Sequence, residues 1–209
     1  MFVLSKKELA LLKPLSTPGK IQDFLDALPI NHEKHGDTCL SPRQVLREKK
    51  ALCIEGAMLA AAAALWLHGE EPLLLDLTTL HHQDDHVVAL YKRNGYWGAI
   101  SKTNHTTLRF RDPIYKTIRE LALSYYHEYF AYGTGQKILQ SYSGPFSLKR
   151  FGTEWITAEE DVWHIAEALD TVPHFLCVPG KNKRCIRKVS MLERKAGRFV
   201  EWGKENHRT

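Results

Sequence analysis

Between Lys50 and Gly69 the chain runs through mostly apolar and small, helix-forming residues. Five consecutive alanines, Ala60 to Ala64, favour a helix and Gly69 supplies its stop. Counting from Cys53 at helical spacing gives Ala57, Ala60, Ala61 and Ala64, so the face bearing the thiol is lined with small side chains. Leu59, Leu65, Trp66 and Leu67 point elsewhere, and a helix apolar on most sides is a buried one.

Ahead of it, Ser5 to Leu12 predicts a short helix ended by Pro14. Thr17-Pro18 and Ser41-Pro42 repeat a cap-then-proline start for two more helices. Asn31 to Cys39 predicts a loop. Behind it, Leu73 to Leu80 is a short apolar run bounded by turn residues, a buried strand. His86–Tyr91 and Tyr96–Ser101 flank Asn94-Gly95, a strong hairpin signal. A two-residue loop there pairs Arg93 with Tyr96, Leu90 with Ala99, Val88 with Ser101 and His86 with Thr103. Tyr115 to Phe130 predicts a long helix with an aromatic face, and Ser141 to Pro145 a loop. Thr157 to Glu160 is a capping-box pattern opening a helix through Leu169. His174 to Val178 predicts a strand and Cys185 to Ser190 a weaker one.

The pattern implies an α+β fold: a central cysteine-bearing helix on a small antiparallel sheet, with further helices at both ends. At 209 residues it implies one domain: a helical lead-in (1–50), a core (51–110), a helix and strand completion (111–179) and a basic tail (180–209). Hydrophobic content of 44% and charged content of 25% exclude a disordered chain. The longest apolar run, around Met58 to Leu67, is about half of the ~20 residues of a membrane span. The N-terminal order, apolar before basic, does not make a secretory signal. The cysteines Cys39, Cys53, Cys177 and Cys185 form no CxxC pair, so the expectation is a reducing, cytoplasmic setting with free thiols. The net charge of +5 is uneven, because the tail holds five Lys and five Arg against three Glu. That tail predicts a solvated, weakly ordered end and matches no nucleic-acid module.

The candidate chemistry is a thiol and an imidazole. Along the hairpin, His86 shares a face with Val88 and Leu90, and Ser101 and Thr103 share it across the strands. A strand histidine facing the small-residue side of a helix reaches a thiol at that helix's start, which makes a Cys–His dyad. A helix N-terminus and an adjacent imidazolium lower a thiol's pKa, and the thiolate attacks an acyl carbon. Backbone N–H groups around Cys53 are natural oxyanion donors. Gln44, nine residues ahead, is a second donor candidate or a surface helix residue.

Cysteine opening a helix with a small-residue motif (Cys53-Ile-Glu-Gly56-Ala57), then a strand, then a histidine starting a hairpin (Asp85-His86-Val87) that returns through Gly95-Tyr-Trp97, resembles the transglutaminase-like superfamily. The match covers Leu46 to Ser101. The resemblance implies a papain-like core and a Cys–His–Asp triad, with Cys53 as nucleophile and His86 as base. Fifteen residues after His86, where that family places aspartate, this chain has Ser101. Serine orients an imidazole by hydrogen bonding without a carboxylate's electrostatic support. Asp84 and Asp85 are nearby acids, Asp112 lies further along, and Asn104 is a papain-like alternative if the strand bulges. The expected activity is acyl transfer or amide hydrolysis through a thioester, on a peptide, protein or small amide substrate, with no cofactor. Two alternatives stand beside it: a non-catalytic binding module of the same fold, and a metal site at His81, His82, Asp84, Asp85 and His86.

Overall fold

The computed structural model describes residues 4–33, 36–80 and 85–200; for 63–65 it describes the backbone. Three short helices lead in: α1 (Lys6–Leu12), α2 (Pro18–Asp26) and α3 (Pro42–Glu48). Ser5, Thr17 and Ser41 cap them, each side chain accepting a backbone N–H of the first turn. The cysteine helix α4 (Cys53–Met58) passes without a break into a π-helical stretch, Leu59–Trp66.

One antiparallel sheet carries the rest. Its strands are β1 (Leu73–Thr79), β2 (His86–Arg93), β3 (Tyr96–Ile100), β4 (Arg111–Tyr115), β5 (Leu139–Ser143), β6 (Phe146–Ser147) and β7 (His174–Leu176). The order is β4-β3-β2-β1-β5-β7, with β6 pairing beside β1. Between strands stand α5 (Ile118–Tyr126) and α6 (Trp163–Asp170), and α7 (Met191–Gly197) follows the last strand. The expected hairpin forms in the expected register as far as Ala89 opposite Ile100, with Arg93 opposite Tyr96 and Leu90 opposite Ala99. The expected Val88–Ser101 and His86–Thr103 pairs lie beyond the end of β3 and are not part of the ladder. Asn94 (φ +50) and Gly95 (φ +86) both take left-handed backbone, as a two-residue hairpin turn requires.

The sheet is buried on both faces, which explains why β1 and β2 hold unbroken apolar runs, Leu73–Leu75 and Val87–Tyr91, in place of a strict alternation. Leu74, Val87, Ala89 and Ile100 join α2, α3, the cysteine helix and α6 in one hydrophobic layer. Leu75, Leu77, Val88, Leu90 and Ala99 join α5 in the other. Ala57, Ala60, Ala61 and Ala62 are wholly buried in the first layer. The fold is therefore α+β, an open antiparallel sheet with helices on both sides. Among the described residues no helix is long and apolar enough to cross a membrane.

Four elements differ from the sequence expectation. Arg111–Tyr115 is an edge strand, where Pro113 is tolerated because one side needs no ladder bond, and α5 begins only at Ile118. Ser141–Ser143 belongs to β5: serines fit there because Ser141 and Ser143 hydrogen-bond to Thr78 and to the Asp76 backbone. The capping-box pattern at Thr157–Glu160 precedes the helix rather than opening it, and α6 starts at Trp163. Cys185–Ser190 forms no strand, and Gly180–Cys185 is a 3-10 turn.

Candidate functional site

The thiol and the imidazole arrive from opposite layers. The cysteine helix packs on the Val87–Ala89 face of β2, while alternation puts His86 on the Val88–Leu90 face, opposite Leu77. They converge at the sheet's end, where one cavity of about 540 Å³ is lined by both. Ile30, Leu52 and Cys53 line it around the start of the cysteine helix, and Leu108 and Tyr129 line it from the second layer. The sequence expectation of a histidine facing the small-residue side of the helix is corrected accordingly. The thiol's hydrogen-bond contact is with the Asp85 carbonyl at 4.0 Å, the outer limit for sulfur, and no direct Cys53–His86 hydrogen bond forms.

His86 is 5% exposed, and its Nε2 lies 2.8 Å from Ser101 Oγ. Ser101 Oγ is also 2.5 Å from the Leu108 carbonyl oxygen. A carbonyl only accepts, so the single hydroxyl proton goes to Leu108 and Ser101 accepts from His86. Nε2 therefore carries the ring proton and Nδ1 the lone pair. Of the sequence candidates, Cys53, His86 and Ser101 come together in this region.

Neutral forms prevail. Burial pushes the Cys53 thiol up; the backbone N–H groups of Val87 and Ile54 pull it down, and the charges of Asp76 and Glu55 raise it further. Burial pushes His86 down to about 3, helped by His105 and Arg111 and opposed by the Leu108 carbonyl. The expected thiolate–imidazolium pair is thus replaced by a neutral thiol beside a neutral imidazole, because desolvation outweighs the helix terminus.

A shell of buried polar groups fixes this geometry, and none of it was visible in the chain. Gln22 of α2 clasps the Ser101 backbone from both sides, accepting its N–H at 2.9 Å and donating to its carbonyl at 2.8 Å. Lys102, 1% exposed, donates to the Leu25 and Leu28 carbonyls at the end of α2. Glu55, wholly buried, accepts the N–H groups of Leu52 (2.7 Å) and Leu40 (3.0 Å) and the Thr38 hydroxyl (2.7 Å). It thereby ties the helix start to the 38–40 loop.

The other candidates fall elsewhere. Gln44 caps α3 and donates to the Glu159 carbonyl, so it takes no part in the cavity. Asn104 lines the cavity wall, whereas Asp112 sits on the edge strand. Asp85 lines the cavity, its carboxylate accepting from the Thr79 backbone and hydroxyl. His81, His82 and Asp84 lie outside the described residues; among those described, no group of three metal-ligating side chains gathers. A second pair, buried Asp76 with half-buried His174 Nε2 at 2.9 Å, links β1 to β7. A scan of protein-family models finds none that matches this chain, and no curated protein matches it.

Proposed function

We propose that the chain is a transglutaminase-like cysteine enzyme with a papain-like core, acting by acyl transfer or amide hydrolysis. Cys53 is the nucleophile, His86 the base and Ser101 the residue that orients it. The observation supporting this most is the 2.8 Å bond from the buried His86 ring to Ser101 at the wall of the cavity that Cys53 also lines. Since both groups are neutral at rest, the thiol proton passes to Nδ1 as the sulfur attacks the acyl carbon. The tetrahedral oxygen gathers charge beside the backbone N–H groups of the helix start, and the imidazolium then protonates the leaving group. Sulfur and ring have no direct bond, so the substrate's closing of the cavity brings them into line. The substrate is a peptide, protein or small amide, with water or an amine as acceptor, and the setting is cytoplasmic.

The decisive experiment is trapping of the acyl-enzyme by an amide-directed electrophile, read by mass spectrometry at neutral pH. Modification confined to Cys53 and reduced at least about 100-fold in His86→Ala is the expected result, the range of a general base. Labelling equal in the two proteins removes the enzyme reading. One observation favours a second reading, a non-catalytic module of the same fold: the thiol is pushed up and the imidazole down, away from an ion pair. Selective retention of a peptide ligand with no covalent adduct would support it.

A further inference from the structure

We infer that Glu128, acting through the backbone of Leu108, is a positioning residue that fixes which nitrogen of His86 carries the proton. This rests on the reading of His86 as the base, and goes beyond it by naming what sets the tautomer.

The third position needs an acceptor for the imidazole, and serine is amphoteric. Left alone, its hydroxyl could equally donate to the ring, which would place the ring proton on Nδ1, the atom that must receive the thiol proton. Only a second acceptor on Ser101 removes that ambiguity. The Leu108 carbonyl is that acceptor, at 2.5 Å. It reaches Ser101 because Leu108 takes a left-handed backbone, φ +60, unusual for a residue with neither glycine's freedom nor a polar side chain to bond locally. Something must hold it there. The Leu108 N–H donates to Glu128 Oε2 at 2.9 Å, just past the end of α5. The same oxygen accepts from Arg111 Nη2 at 2.6 Å, and Arg111 lies over the Tyr125 ring at 4.0 Å and bonds Ser124 Oγ at 3.0 Å. The Leu108 side chain is itself buried against the α5 layer. The chain of contacts runs Arg111–Glu128–Leu108–Ser101–His86, from a helix end and an edge strand to the ring.

The test is the ring nitrogen spectrum of His86 in protein labelled with ¹⁵N-histidine at neutral pH, assigned with His86→Gln. A single tautomer with Nε2 protonated is expected in the wild type. Glu128→Ala should turn that pattern into a mixture or into the Nδ1-protonated form, and Glu128→Gln, which keeps an oxygen for the Leu108 N–H, should restore it. A wild-type ring protonated at Nδ1 overturns the inference, as does a folded Glu128→Ala protein with an unaltered ring pattern. Should Glu128→Ala fail to fold, amide exchange at Leu108 in the wild type decides: slow exchange supports the clamp and solvent-like exchange overturns it. No turnover is needed for any of these readouts. An inert Cys53 beside an intact Nε2–H pattern would remove the proposed function and leave this inference standing.

Discussion

At the scale of single residues, the buried imidazole governs how the protein responds to acid. An unfolded histidine titrates near 6.5, whereas burial holds His86 down to about 3 in the fold. Between those values the unfolded chain binds the proton and the folded one does not, so stability rises with pH across that window. Acidification from pH 7 to pH 4 should remove roughly 3 kcal/mol at this site. Asp76, pushed up to about 6 by burial against the pull of His174, acts with the opposite sign. Its folded form binds the proton first between about 4 and 6, which stabilises as pH falls. For these two groups urea unfolding at stepped pH should show a loss from about pH 7 to 6, then little further change down to about pH 4, where the two effects offset. In His86→Gln the slope should reverse, with stability rising as pH falls. Ser101 yields a second prediction. Ser101→Ala leaves the buried Nε2–H without its acceptor, a loss of about 1–3 kcal/mol. Ser101→Asp should lose more, because a carboxylate has no proton to offer Leu108 and would set two oxygens against each other. Denaturation at pH 7 that ranks the aspartate variant above alanine would contradict this. That a serine stands fifteen residues after His86 was legible in the chain, but what fits a serine there, a carbonyl facing the hydroxyl, was not.

At the scale of elements, the helix that carries the thiol is placed by close approach and by buried polar anchors. A Cβ at Gly56 would lie 2.5 Å from Lys102 Cβ, the rigid root of a side chain pinned at its far end to α2. Gly56→Ala should therefore destabilise by about 1–3 kcal/mol, despite alanine's better helix propensity. The thermal midpoint reads this directly, and a rise would mean that helix and hairpin separate freely. Glu55→Ala removes a carboxylate that satisfies four donors, the Leu40 and Leu52 N–H groups, the Thr38 hydroxyl and the Asn31 amide. We expect a loss of about 3 kcal/mol or more, measured by chemical denaturation, with rapid amide exchange appearing at Leu40 and Leu52. The capped helices and the Asn-Gly hairpin were legible because caps and turns are local chemistry. The edge strand β4 was missed because proline argues against a strand until the sheet's edge is known.

At the scale of the whole molecule, the basic C-terminal stretch does more than solvate. Through Val200 it folds back on the cavity's outer wall: Arg194 Nε donates to the Tyr132 carbonyl at 2.8 Å, and Val189 N–H to Gly135 at 2.9 Å. Gly197 lies against the Tyr132 and Phe130 rings, and His105 pairs with Val200. Arg194→Ala should raise amide exchange across 130–135 while leaving β1 and β2 protected. Equal exchange in both proteins would show the wall to be held by the sheet alone.

Local period, caps and turn residues by themselves determined that this is an α+β chain with a buried alanine-rich helix and an Asn-Gly hairpin, because each depends on neighbours a few positions away. That Ser101 shares a face with His86 was also within reach, since register follows from the turn. Only the tertiary structure decided that thiol and imidazole come from opposite faces of the sheet and rest uncharged. The same holds for Gln22, Lys102, Leu108 and Glu128, which surround them. Those outcomes depend on desolvation and on contacts between residues tens of positions apart, and no local pattern encodes either.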